Sequence, residues 1–254
     1  MSETSIQVVP APWKLRGRSW IFPVAGLDPK ASFPPGWAAE DQSDALSKGG
    51  EFIGGLGLVQ VVSYSESPVG PYDELVYVPG RWKYKDGTKA FRITQIYVSS
   101  KESTFNGRRN WNIPKHVANF SITTDASGTT SISVTQPGAS EPFFRASTTR
   151  ISILSALALP TSTTLLGSYY SLMQPPLPAG PNPEDAGTDK WAYLIPVLRG
   201  KTSLVRAVPE LEGPSGKKAL GDGKGCPALV PWSTAVFMDE INMDFGESTF
   251  YDAV

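Results

Sequence analysis

The chain is poor in the residues that staple or metallate small domains. Among 254 residues it has one cysteine, Cys226, and one histidine, His116. A single thiol excludes an intramolecular disulfide and fits a reducing compartment, so the expected location is the cytoplasm. One nitrogen and one sulfur donor fall short of a zinc site, which takes three or four His, Cys or carboxylate ligands. Carboxylate-only magnesium or calcium sites stay open, but no Asp-rich loop resembles an EF-hand, and no metal site is assigned. Neither sign of charge dominates: 23 Lys and Arg stand against 24 Asp and Glu, a formal net charge of −1. With no basic stripe to grip a phosphate backbone, nucleic acid is not an expected partner. No apolar run reaches the roughly 18 residues of a membrane-crossing helix, so no membrane partner is expected either. Met1 to Gln7 is polar and lacks the positive-then-apolar layout of a secretory signal.

Long amphipathic helices are also scarce, because 24 glycines and 23 prolines cut the chain into short pieces. Strands are predicted at Arg18–Val24, Gly57–Ser65, Leu75–Pro79, Phe91–Ser99, Val117–Thr124, Thr129–Thr135, Phe143–Thr149, Tyr193–Arg199, Ser203–Val208 and Ala235–Asn242. Residues 91–97 and 131–134 approach the period-two alternation of strands with one buried face. Asp125-Ala126-Ser127-Gly128 and Lys85-Asp86-Gly87-Thr88 read as hairpin turns. A helix is predicted over Lys101 to Trp111, with Ser100 or Ser99 as N-cap and Pro114 beyond its end; Asn106 and Gly107 count against it. A second short helix is predicted from Ala39 to Ser47. Pro175 to Asp189 and Pro209 to Cys226 read as surface loops. Neither separates regions of different composition, so residues 1–254 are expected to form one domain. Short strands with turns between them point to a mainly β barrel or sandwich with a few helices.

The segment that carries chemistry is Gly107-Arg108-Arg109-Asn110-Trp111-Asn112-Ile113-Pro114-Lys115-His116. A lysine is ordinarily a solvated cation with a pKa of about 10.4. It becomes a nucleophile near neutrality where burial or neighbouring positive charge disfavours its ammonium form. Trp111, Ile113, Pro114 and Val117 supply apolar company; Arg108, Arg109 and a protonated His116 supply positive charge. This is the setting in which an amine attacks a carbonyl to form a Schiff base.

Gly107-Arg108-x-x-x-x-x-Pro114-Lys115 resembles the active-site segment of the acetoacetate decarboxylase superfamily, in which the lysine after the proline forms the Schiff base. Acetoacetate decarboxylase is itself the example on which the rule of a desolvated or cation-flanked lysine rests. Val69-Gly70-Pro71-Tyr72-Asp73-Glu74-Leu75 is similar to the family's Gly-Pro-Tyr-x-Glu strand entry, whose glutamate faces the lysine. Trp13-x-Leu15-x-Gly17-Arg18-Ser-Trp20 is similar to its first strand, which can carry a substrate-binding arginine, here Arg18. The resemblance implies a closed antiparallel β-barrel with a few peripheral helices, an apolar interior cavity around Lys115, no cofactor and a homo-oligomer. It departs from the decarboxylases at His116, where they have a second lysine, and at Gln60, where they have an acidic residue. The Pro-Lys-His segment looks more like fungal members of the superfamily.

Each residue also has a plainer reading. Lys115 can be a solvated lysine opening a strand, and Glu74 a strand-edge carboxylate in an ordinary ion pair. Arg18 and Arg108 can be structural ion-pair partners, and Arg108 can cap a helix end. His116 can satisfy backbone acceptors, and Tyr72 and Trp111 can be packing or lining residues. No Gly-x-Ser-x-Gly elbow accompanies His116, which speaks against Ser-His-Asp hydrolysis. Gly54-Gly55-Leu56-Gly57 lacks the phosphate-loop ending and reads as a bulge or close strand packing.

The leading expectation is Schiff-base chemistry by a decarboxylase-like lyase on a small keto acid or related carbonyl substrate. Lys115 would be the nucleophile and Glu74 would move protons. Arg18 or Arg108 would hold the carboxylate, and Tyr72, Trp111, Gln60 and His116 would line the pocket. The alternatives are a repurposed aldolase-dehydratase, isomerase or cyclase of secondary metabolism, and a carrier that only binds an apolar metabolite. If His116 replaces a helpful cation, His116→Lys should increase imine formation.

Overall fold

The computed structural model of the chain describes residues 6–151, 158–214 and 216–254; the part of the polar Met1–Gln7 stretch up to Ser5 lies outside the described residues. The strands run in order β1 (Trp13–Val24), β2 (Glu51–Gly54), β3 (Gly57–Glu66), β4 (Tyr72–Val78), β5 (Arg81–Lys83), β6 (Lys89–Phe91), β7 (Gln95–Val98), β8 (Lys115–Val117), β9 (Asn119–Thr124) and β10 (Thr130–Thr135). They continue with β11 (Pro142–Arg150), β12 (Leu159–Ser162), β13 (Leu172–Gln174), β14 (Trp191–Leu194), β15 (Val197–Pro209), β16 (Leu211–Glu212), β17 (Lys218–Ala219), β18 (Thr234–Phe245) and β19 (Thr249–Tyr251). Helix α1 (Glu40–Ser47) precedes β2, and α2 (Lys101–Trp111) precedes β8. Two 3₁₀ turns kinked at Gly167 fill Thr163–Tyr170. No described helix is long and apolar enough to cross a membrane.

Two predicted strands are interrupted, each for a local reason. Phe91–Ser99 breaks after Phe91 because Arg92 turns fully inward. Its guanidinium donates to the carbonyls of Leu46, Lys48 and Gly49. Next to it, the Ile93 N–H is taken by the Gln174 side chain, not by a neighbouring strand. Tyr193–Arg199 divides at Pro196, which has no N–H for a ladder. Both predicted turns close hairpins, β9 to β10 and β5 to β6. The glycine run before β3 contains the expected bulge, a register shift between Phe52 and Gly54. The stretch from Pro175 to Asp189 is not a free surface loop: Leu177, Glu184 and Asp185 within it are buried.

An eleven-stranded sheet runs β8-β7-β4-β3-β1-β18-β15-β11-β10-β9, with β12 on β15. All its pairings are antiparallel except β7 with β8. The sheet is curled but open, which corrects the closed barrel expected above. Its end strands β8 and β9 share no ladder; they are consecutive in the chain, with only Ala118 between them. Bulges on β1 help to bend it. At Gly17 the backbone passes so close to β3 that a Cβ would lie 2.1 Å from the Ser63 carbonyl oxygen, so no larger residue fits.

The curl gives the sheet two buried faces. On the concave face, Trp20, Val61, Tyr77, Ile132 and Phe144 form one cluster. Tyr97 of β7 and Phe143 of β11 touch there, ring centroids 4.5 Å apart, although their strands lie far apart along the ladder. On the convex face, Trp13, Val62, Val76, Ile96 and Trp111 form a second cluster. That face is covered by α2 and by a six-stranded sheet of order β19-β14-β13-β6-β5-β2.

Candidate active site

Helix α2 and the turn after it place Lys115. The Ser100 side chain accepts from the N–H of Ser103 at 3.1 Å, an N-cap. At the other end Asn112 is left-handed, with φ 52°. The N–H groups of Asn112 and Ile113 return to the Arg108 and Gly107 carbonyls, a Schellman-type stop. Pro114 ends the helix, and Lys115 enters β8 opposite Ile96. Ile96 belongs to the convex cluster, so Lys115 points the same way, back under α2. Its side chain runs across Gly107, where a Cβ would lie 2.7 Å from Lys115 Cδ. The glycine that weakens the helix in sequence is what admits the lysine.

Lys115 is 4% exposed and Glu74 6%. Lys115 Nζ donates to Glu74 Oε2 at 2.8 Å and to Ser103 Oγ at 3.0 Å, and lies 5.2 Å from the centre of the Tyr72 ring. Glu74 shares its face of β4 with Tyr72, Val76 and Val78, because side chains alternate along a strand. Tyr64 OH is 3.5 Å from Glu74 Oε1. Burial, and next the Glu74 charge, hold both the Tyr64 and the Tyr72 phenols well above the usual tyrosine range. Both therefore stay protonated near neutrality.

Glu74 and Gln60 open onto a narrow cavity of about 50 Å³ between the convex face and the second sheet. Its other walls include Val76, Val78, Ile93, Leu172, Met243 and Phe245. Gln60 is fixed by donating to Ser19 Oγ at 2.9 Å. The cavity is thus outside the curl and not in its interior, which corrects the interior cavity expected above. Lys115 lies one hydrogen bond behind Glu74 and does not itself line the wall.

The structure brings together Lys115, Glu74, Tyr72 and Gln60 and sets the other expected residues apart. Arg18 pairs with Ser63 in the β1–β3 ladder, one residue out of step with the Glu74 partner Val62. It therefore lies on the opposite face of the sheet, exposed, with its guanidinium 5.5 Å from the Trp20 ring, and cannot clamp a substrate at Glu74. Arg108 is fully buried and spent on backbone: it donates to the carbonyls of Ala186 at 2.8 Å and Pro178 at 2.6 Å, with Lys115 O at 3.5 Å. It pins the 175–189 stretch to α2, and desolvation lowers its pKa. Trp111 packs edge-on against Trp13 and donates to the Gly246 carbonyl at 2.7 Å, a core role.

His116 is the sharpest correction. It pairs with Tyr97, whose side chain is on the concave face, so neighbours in sequence point to opposite sides of the sheet. Burial, with Arg108 adding to it and Asp41 opposing it, holds the imidazole below its usual 6.5, and Nε2 has no hydrogen-bond partner among the described residues. His116 therefore neither faces Lys115 nor carries charge near neutrality. As pH falls below about 6.5 the unfolded chain takes up this proton before the folded one, so stability falls with it. The urea midpoint is expected to drop more between about pH 7.5 and about pH 5 in the native protein than in His116→Asn. Equal drops would show that the imidazole carries none of the loss.

Ser103 escaped the sequence reading. Its hydroxyl accepts from the Lys115 amine at 3.0 Å. The available signal was the pair of small residues Ser103 and Gly107, one helical turn apart on the face before the lysine. Gly107→Ala tests that face. The helix gains about 1 kcal/mol of propensity, but the new methyl displaces the amine. If Lys115 is a nucleophile, its reaction with a carbonyl probe is expected to slow roughly 10²-fold, as for a reacting group misplaced by about 1 Å. An unchanged rate would show that this contact does not position Lys115.

The sequence matches no protein-family model and no curated protein. Solved structures do match. Acetoacetate decarboxylase from Legionella pneumophila superposes with a TM-score of 0.60 at 13% identity, over 99% of this chain and 93% of that one. An acetoacetate decarboxylase-like enzyme from Sphingomonas wittichii RW1 gives 0.61 at 13% identity, over 97% and 95%. The enduracididine biosynthesis enzyme MppR, complexed with pyruvate, gives 0.56 at 13% identity, over 97% and 93%. At such identities the likeness shows the fold: this chain has the acetoacetate decarboxylase-like architecture, mainly β with, among the described residues, two α-helices and a pair of 3₁₀ turns.

Proposed function

We propose that the protein is a small-molecule enzyme that forms an imine between Lys115 and a carbonyl substrate, with Glu74 as its proton carrier. The observation that carries this reading is the buried Lys115–Glu74 pair, 2.8 Å apart, whose glutamate lines an apolar cavity. The fold supports it, since MppR on the same architecture holds pyruvate. The Lys115 ammonium passes a proton to Glu74, and the free amine attacks the carbonyl carbon. The carbinolamine loses water to give a protonated imine. That cation draws electrons from the adjacent carbon, which then releases carbon dioxide or a proton and leaves an enamine. Glu74 relays a proton to the enamine carbon, and water then hydrolyses the resulting iminium and restores the lysine. Ser103 orients the amine, and the protonated Tyr72 closes the site beside it.

Sodium borohydride trapping with a panel of ketones, followed by peptide mass mapping, tests this. Expected is a reduced adduct on Lys115 of the native protein alone and none in Lys115→Ala. Turnover of a substrate without any adduct on Lys115 would overturn it.

A second reading is favoured by one observation: Glu74, and not Lys115, lines the cavity. Glu74 would then be the acid–base group of an isomerase or cyclase, and Lys115 its buried counter-charge.

A further inference from the structure

The charges around the cavity identify a class of substrate. Within its wall, among the described residues, Glu74 is the only ionisable group apart from the Tyr170 phenol, and there is no cation. Tyr170 is held above the usual tyrosine range by burial, so it stays neutral. The cations that sequence places nearby are committed elsewhere. Arg18 is on the other face of the sheet, Arg108 holds backbone carbonyls, and Lys115 is paired with Glu74. Arg81 neighbours the cavity through Phe91, but its guanidinium is 4.2 Å from the Tyr169 ring and donates to the Lys89 carbonyl. A substrate carboxylate entering this space would lose its water without gaining a cation, and would meet the Glu74 carboxylate. The space is also narrow, about 50 Å³, room for only a few water molecules.

We propose that the substrate is an uncharged carbonyl compound with a slim alkyl body and no carboxylate beside the reacting carbon. This rests on the imine reading above. It narrows the step after imine formation to proton transfer. The α-carbon proton passes to Glu74 while its electron pair moves to the iminium nitrogen, giving the enamine. Glu74 then returns the proton, to the same carbon or to its vinylogous neighbour, and water releases the product. No carbon dioxide leaves, and no oxidant or reductant is needed. The reaction class is isomerisation or exchange next to a carbonyl.

Two near-isosteric pairs test the charge rule on the native protein. Acetylacetone and acetoacetate differ in a methyl against a carboxylate oxygen; the Lys115 adduct, read as the vinylogous amide for acetylacetone and after borohydride reduction for acetoacetate, is normalised to a lysine peptide in solution. Expected is at least about tenfold faster trapping of acetylacetone. Butyramide and butyrate form no imine, and thermal shift is expected to register butyramide and not butyrate. Glu74→Gln should raise the acetoacetate rate relative to acetylacetone, because the carboxylate then meets Lys115 without its counter-charge. A preference for butyramide with no adduct from any carbonyl would sink the imine reading and leave the substrate class standing. Equal or better response to the anions would overturn the substrate class, and loss of that response in Arg81→Ala would name Arg81 as the overlooked clamp. Absence of any response to the neutral probes overturns it as well.

Discussion

Lys115→Arg is expected to abolish the borohydride adduct and to lower turnover roughly 10⁴- to 10⁶-fold, the range seen when an enzyme loses its covalent nucleophile. Arginine retains the charge and can still donate to Glu74, but its guanidinium stays protonated and forms no imine. The substitution therefore separates the two roles open to this side chain. If Lys115 is only the counter-charge of Glu74, Lys115→Arg should keep a large part of the activity that Lys115→Ala loses. The measurement is the initial rate on whichever carbonyl compound of the trapping panel the native protein turns over, alongside circular dichroism to show that each variant is folded. Substantial turnover by Lys115→Arg would exclude the imine mechanism and transfer the chemistry to Glu74.

The second large effect concerns stability. With Lys115 4% and Glu74 6% exposed, removing either partner leaves an uncompensated charge where water does not reach. Lys115→Ala and Glu74→Ala are each expected to cost about 3–5 kcal/mol. For a chain of this size that is a fall in Tm of roughly 6–20 °C. Replacing both, as Lys115→Met with Glu74→Leu, should cost less than either single change, because no charge is then stranded. A double-mutant cycle by urea denaturation measures the coupling. Strictly additive losses would mean that the two groups do not depend on each other in the folded protein, contrary to the 2.8 Å contact between them.

What could be read from the sequence was mostly local. The span of α2, its Ser100 cap and the two hairpin turns follow from residues within a few positions of one another, whose backbone preferences act whatever the rest of the chain does. The Lys115–Glu74 pairing is a contact between residues far apart in the chain; it was legible only because two motifs resembled a known family at once. Gln60 was legible on the same ground. Arg18 and His116 were misplaced for a common reason. Each stands next to residues that face Lys115 or its sheet partners, and on a strand the next residue faces the other way. Starting the strand at Val117 hid the alternation that begins at Lys115, and the bulges on β1 blurred the parity of Arg18.

By itself the sequence determined the chemistry available: one lysine after a helix-stopping proline, one glutamate on a strand, a single cysteine and a single histidine. It also determined which short segments would be helix, strand or turn, since those choices rest on nearby residues. Only the tertiary structure decided that the sheet stays open and that the cavity lies on its convex face. Only there did Arg108 prove to be spent on the carbonyls of Pro178 and Ala186. Phe91, Leu172, Pro196 and Met243 meet around Glu74 from separate parts of the chain. No local preference encodes that meeting. It follows from the order in which strands pair and from the curl that bulges impose, and these set which side chains share a face and which cations are left for a substrate.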